Sequence, residues 1–319
     1  MGVCEEGVSM ATTSIPVPQK TKKVETQSTW NIQRIIGYAL LYIFLIALSI
    51  AFLFPFYQML IGSLMPKEEL FKLYPQLWPP GGPSLRAYQL LLHTIPATNM
   101  TYLRTFHVVR YIGNSLLMAT VAVLLQVFFN TMAGYVFAKR NFPFKTQLFG
   151  LILTTMLLPT AINFVPFFIL IGKLGWMNTY LPFWIPGAAS AFGIFLMRQF
   201  IVSTIPDELI DSATIDGASQ LTVLTRLVMP IMSGGMVVLA ILSFVGVYNE
   251  FVMSSLILTV PDTRTVQVAL ANFLKSSIRA PNYDLLFAGS VMATIPLLII
   301  FFVFQRRIME GVMSGAIKG

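Results

Sequence analysis

Apolar residues run almost unbroken through six stretches of the chain, residues 35–64, 108–132, 148–171, 181–200, 227–258 and 285–304, with shorter polar segments between them. Each approaches or exceeds the ~20 residues that an α-helix needs to cross a bilayer, so the pattern predicts an all-α membrane protein with six spans. Prolines interrupt several of them: Pro55 in the first, Pro159 and Pro166 in the third, Pro186 in the fourth and Pro296 in the sixth. A bundle tolerates such interruptions where neighbouring helices satisfy the freed carbonyls, so tilted and kinked helices are expected. Each proline reads either as a packing or boundary feature or as a hinge.

The polar segments set the topology. Residues 1–34 mix Ser, Thr, Pro, Gln and Lys without an apolar period and read as a disordered cytoplasmic tail. The apolar run that follows is too long for the core of a secretory signal and lacks a small-residue cleavage site, so it stays as the first span. Lys139, Arg140 and Lys145 fall between spans two and three, Arg306 and Arg307 follow span six, and Lys20, Lys22, Lys23 and Arg34 precede span one. Basic residues in short loops mark the cytoplasmic side. A multi-pass protein of the cell (inner) membrane follows, with both termini inside, a transmembrane domain over 35–307 and a short cytoplasmic tail over 308–319.

Composition narrows the chemistry. With 56% apolar residues and only 11% charged, and a mean hydropathy of +0.75, the chain holds more apolar surface than a water-soluble fold can cover. Two His, one Cys and thirteen acidic residues leave little material for a metal site, a disulfide framework or a set of catalytic acids. Cys4 has no partner cysteine in the chain, and His93 and His107 fall in the loop after span one. The net charge of +8 sits between apolar runs, which suits membrane anchoring rather than nucleic acid.

One long polar segment is patterned. Residues 204–230 fall between spans four and five and read as two short helices about a turn. Thr204 is placed to cap the first, Pro206 suits an early helical position, and Asp207 with Glu208 sets negative charge at the positive end of the helix dipole. Gly217 permits the turn and Ser219 is placed to cap the second helix. Leu209, Ala213 and Ile215 offer apolar groups, while Glu208, Asp211 and Asp216 offer anionic ones. The element therefore reads either as a peg for a cleft on another protein or as an unpartnered interfacial helix, the latter being basic rather than acidic where it binds anionic lipid.

The same segment resembles the signature of the binding-protein-dependent ABC importer permeases, which is Glu-Ala-Ala, three residues, Gly, nine residues, then Ile-x-Leu-Pro. Asp211, Ser212 and Ala213 occupy the first three places, Gly217 follows at the required distance, and Leu227, Met229 and Pro230 close the pattern. Asp211 is one methylene shorter than the usual Glu, and Ser212 replaces an Ala. From about Ile36 onward, further stretches look like the carbohydrate-type members of that family. They are Asn114-Ser-Leu-Leu, residues 174–181 (Leu-Gly-Trp-Met-Asn-Thr-Tyr-Leu), 193–200, 215–219, Tyr248-Asn-Glu-Phe251 with Tyr where Trp is common, and 311–319.

The resemblance implies a type I importer-like, six-helix permease with cytoplasmic coupling helices between helices four and five. It implies a second, homologous permease chain in a heterodimer, a pair of cytoplasmic ATPase subunits and an extracytoplasmic sugar-binding protein. Glu208, Asp211, Ser212, Ala213, Asp216 and Gly217 would then form the ATPase contact. ATP and magnesium would belong to the ATPase, because no Gly-x4-Gly-Lys-Ser/Thr loop occurs in this chain.

For a solute path, the polar residues within spans are Asn130, Asn163, Asn249 and Glu250, with Tyr248 beside them. An intramembrane carboxylate points to function, yet on a continuous helix Glu250 lies about 30 Å beyond Pro230 and near the far interface, where a solvated or paired Glu fits equally. Asn130 and Asn163 also fit interhelical hydrogen bonds. Phe128, Phe164, Phe167 and Phe168 fit packing as well as a sugar platform. The rival classes are an ABC permease for a non-sugar solute, an intramembrane transferase and an ion-driven carrier. The carboxylate or His cluster of a transferase and the inverted repeats of a carrier do not stand out.

Overall fold

The computed structural model describes residues 2, 32–70, 77–96, 103, 105–276 and 282–316, with backbone alone for 32–34, 275–276 and 307–316. Most of the 1–34 tail and the last three residues of the 308–319 tail lie outside that range. The chain forms two compact units, residues 1–53 and 54–319, each described by itself. The helix α1 (Ile32–Ser63) runs through the boundary and holds Pro55 in its interior. Within the first unit every side chain from Ile35 to Leu53 is exposed. A helix apolar on all sides and unburied is matched to hydrocarbon rather than to water.

The second unit continues with α2 (Arg86–Leu91), α3 (Val108–Lys139), α4 (Lys145–Thr155), α5 (Phe164–Lys173), α6 (Leu181–Trp184) and α7 (Ala191–Thr204). There follow α8 (Asp207–Ile215), α9 (Gln220–Ile231), α10 (Ser233–Tyr248), α11 (Val252–Ile257), α12 (Val266–Ser276) and α13 (Tyr283–Ala316). No strand occurs among the described residues. Helix α3 is the centre of this unit: it packs along α7 and α10, and α10 packs in turn on α13. Small residues make the first crossing close. A Cβ on Gly134 would stand 2.9 Å from the Met197 Cβ, and one on Gly193 would stand 2.5 Å from the Asn130 amide. Backbones brought this near gain dispersion contacts where burial from water cannot drive association.

Among the described residues three helices are long and apolar enough to span a membrane unaided, and six spans result when each bent pair counts as one. The sequence expectation of kinked helices is exceeded. Span three is two helices, Lys145–Thr155 and Thr160–Lys173, at 92°. Pro159 stands at the break, whereas Pro166 sits in the first turn of α5, where its missing N–H has no helical partner to lose. Span four bends by 42° between Leu181–Ala188 and Ala191–Thr204, and Ser190 caps the second half by accepting from the Gly193 N–H at 3.0 Å.

Span five departs most from expectation. The apolar run 227–258 is not one helix: Gln220–Ile231 lies at 81° to Ser233–Tyr248, and the chain leaves helix again before α11. Pro230 and the Ser233-Gly234-Gly235 run at the bend account for the first break. Glu250 is therefore not on a continuous helix from Pro230; its Oε1 accepts from the Met253 N–H at 2.8 Å and caps α11. Helix α13 runs past residue 307 to Ala316.

At the end of α3 remote from Lys139, polar side chains hold the loop between α11 and α12. Asn178, at φ +60°, accepts through Oδ1 from the N–H groups of Thr259 (2.7 Å) and Val260 (2.9 Å). Asn114 donates to the carbonyls of Asp262 (2.9 Å) and Arg264 (3.0 Å), and Arg110 pairs with Asp262 at 2.7 Å. Both asparagines lie in stretches that carry the family resemblance, and the structure gives each a physical task.

Candidate functional site

Residues 204–230 form two helices about a glycine turn. Helix α7 runs through Thr204, so that residue ends a helix instead of capping one; Pro206, extended at φ −63° and ψ 150°, holds the N-cap position of α8. Asp207 and Glu208 occupy the first turn, where the helix dipole favours negative charge. At the other end Gly217 adopts φ +82°. Its N–H reaches the Thr214 carbonyl at 3.1 Å and the Ala218 N–H reaches that of Ala213 at 3.0 Å. This paired closure satisfies carbonyls the helix end would leave bare, and it needs a residue that tolerates positive φ. Ser219 then caps α9 by accepting from the Thr222 N–H at 3.2 Å.

Helix α9 contains a π segment, Val223–Val228, which inserts a residue into the helical ladder and redirects its side chains. Ile210, 3% exposed, is the anchor of α8: it joins Tyr135, Met197, Ile201, Ile205, Val223, Leu224 and Val228 in one apolar cluster. Ile210 stands outside the set Leu209, Ala213 and Ile215 that the sequence offers as apolar groups for docking. Ala213 is partly buried against that cluster, while Ile215 (85%), Leu221 (62%) and Leu209 (38%) face outward.

The outward surface is acidic. Glu208, Asp211, Ser212, Asp216 and Gly217 are all exposed, and among the described residues the three carboxylates make no ion pair with the rest of the chain. Asp207 does: its Oδ1 lies 2.6 Å from the Lys139 Nζ, which also donates to the Ile205 carbonyl at 2.5 Å. Arg140 donates to the Tyr135 hydroxyl at 2.5 Å, and that hydroxyl donates to the Gln220 Oε1 at 3.2 Å. The last two turns of α3 thus touch both α8, through Lys139, and α9, through Tyr135.

The solute-path residues read from the sequence stand in different settings. Asn130 is fully buried, accepting from the Ser190 N–H at 2.9 Å, with its amide nitrogen unpartnered. Asn163 is exposed in the short helical turn Thr160–Asn163 at the break of span three. Tyr248 is fully buried and donates to the Ala293 carbonyl at 2.8 Å. Asn249 is exposed with its amide on the Val245 carbonyl at 3.0 Å, and Glu250 is half-buried as the cap of α11. No hydrogen bond joins any two of these five among the described residues. No group of three or more His, Cys, Asp or Glu that could hold a metal ion occurs among them either.

Residues 130–312 match the family model described as binding-protein-dependent transport system inner membrane component. The chain is 33% identical over 209 residues to the arabinooligosaccharides transport system permease protein AraQ of Halalkalibacterium halodurans, covering 66% of this chain and 74% of that one. It is 30% identical over 278 residues to AraQ of Bacillus subtilis, covering 87% and 94%. Among solved structures, it superposes with a TM-score of 0.70 and 20% identity on a chain of a bacterial ABC transporter that imports the acidic polysaccharide alginate. That match covers 86% of this chain and 96% of the other.

Proposed function

The chain belongs to the binding-protein-dependent transport system inner membrane components, and on that premise we propose that it is one permease half of an ATP-driven importer for a carbohydrate. The observation that carries the reading is the 204–230 segment. It keeps the signature spacing, is built as a helix, a positive-φ glycine turn and a second helix, and turns its unpaired carboxylates outward. The identity with AraQ over nearly its whole length supports an oligosaccharide as cargo. The chain is a transport component rather than an enzyme.

In this proposal Glu208, Asp211, Ser212, Ala213, Asp216 and Gly217 contact a basic groove of a cytoplasmic ATPase, one of a pair that binds the ATP and magnesium. Charge complementarity sets the register of such a contact, and Ile215 and Leu221 supply its apolar anchors. A second, homologous permease chain completes a heterodimeric channel, and an extracytoplasmic sugar-binding protein delivers the cargo. Both termini lie in the cytoplasm, a placement supported by Lys139, Arg140 and Lys145 beside the acidic element. Asn163 and Asn249, exposed at breaks in spans, are the side chains of the candidate path most open to a passing hydroxyl. Asn130, Tyr248 and Glu250 shape that path from behind. In this reading ATP and magnesium belong to that ATPase and not to this chain.

The test is to purify the complex with its native partners and to screen its binding protein against arabino-oligosaccharides, α-galactosides, maltodextrins, amino acids and inorganic phosphate. Retention of a saccharide supports the reading. Retention only of an amino acid or phosphate overturns the carbohydrate assignment, and purification of the chain without an ATPase overturns the importer assignment.

A further inference from the structure

The coupling element must hand its motion to the transmembrane helices through some contact, and the structure offers a specific one. Lys139 is the last residue of α3. Its side chain is 7% exposed, yet it reaches past α7 to the junction of α7 and α8, where the ammonium binds the Ile205 carbonyl and the Asp207 carboxylate together. Ile205 closes the negative end of α7 and Asp207 opens the positive end of α8. A cation there is attracted to the terminal carbonyls of one helix and to the first-turn acid of the next, so it fixes the angle between them. One turn earlier Tyr135, 3% exposed, binds Gln220 at the start of α9.

We propose that the last turn of α3 is the receiving end of the coupling element, with Lys139 as the positioning residue that makes α8 move as one body with α3. The inference rests on the reading of 204–230 as the ATPase contact. Helix α3 packs along both α7 and α10, so a displacement delivered to its end reaches the centre of the bundle without passing through the exposed α8–α9 turn. A coupling that runs through packed helices and a hydrogen-bonded group is open to single substitutions.

The experiment uses the assembled complex in a Cys4→Ser, Asn163→Cys background and reads the rate of N-ethylmaleimide labelling at position 163 with and without ATP plus vanadate. In the otherwise unsubstituted complex vanadate trapping is expected to change that rate. Lys139→Met and Asp207→Asn are expected to shrink the change by about two- to thirtyfold, with the ATPase still bound; Lys139→Arg is expected to restore most of it. Gly217→Pro serves as the control for the loop itself. A response abolished by Gly217→Pro but kept by Lys139→Met overturns this inference alone. A response that survives both, or none in the unsubstituted complex, overturns the reading of the loop with it. If Lys139→Met does not assemble, the exposed Asp207 decides: a full response in Asp207→Asn overturns the inference.

Discussion

At the scale of single residues, backbone geometry and close contacts decide which side chains can change. Gly217 holds φ +82° with its Cβ position open to solvent, so Gly217→Ala meets no clash and loses only conformational ease, about 1–2 kcal/mol. Gly134 and Gly193 face the opposite constraint. Gly193→Val would drive its side chain into Asn130 and is expected to lower stability by about 1–3 kcal/mol, which thermal unfolding of the purified complex in detergent measures; an unchanged midpoint contradicts the close α3–α7 crossing. Local chemistry of this kind is legible in sequence. Gly217, Ser219 and the Asp207-Glu208 pair announce their roles because turn and cap chemistry acts over a few residues. The Lys139–Asp207 pair does not, because 68 positions separate the partners and nothing in either neighbourhood names the other. Ile210 is not legible in the same way, because its anchoring role comes from Tyr135, Met197 and Val223, which lie on other helices.

At the scale of elements, the apolar runs locate six membrane segments, since bilayer thickness imposes a length that composition alone reveals. The breaks within them are less legible. Pro159, Pro166 and Pro296 look alike in sequence, yet the first stands in a break and precedes the Thr160–Asn163 turn, the second sits in a first turn and the third is carried inside α13. Neighbouring helices decide which outcome a proline takes. The loop after α11 makes a prediction at this scale. Asn178→Ala removes the acceptor shared by the amides of Thr259 and Val260, and each lost bond costs about 0.5–1.5 kcal/mol. Hydrogen exchange at those two amides is expected to accelerate by about tenfold, while exchange within α3 stays as it was. Equal protection in the variant would mean that the loop is held by other contacts.

At the scale of the whole molecule, an acidic, outward-facing element is joined to a helix bundle whose apolar sides lie bare. Helices α4, α5 and the described part of α1 before residue 54 leave large apolar side chains uncovered, such as Leu151 (64%) and Val165 (68%), which lipid or a second permease chain would cover. Charge reversal on the outward face should break the motor contact without disturbing insertion. Asp211→Lys is expected to abolish stimulation of ATP hydrolysis by the loaded binding protein, and normal stimulation would remove Asp211 from the interface. The central claim is that residues 204–230 face the cytosol against an ATPase, and side-specific labelling tests it most directly. With Ser212→Cys in a Cys4→Ser background, a membrane-impermeant maleimide is predicted to leave intact cells unlabelled, to label inverted vesicles stripped of ATPase, and to be blocked when the ATPase is restored. Labelling in intact cells, or labelling indifferent to the ATPase, would contradict the account.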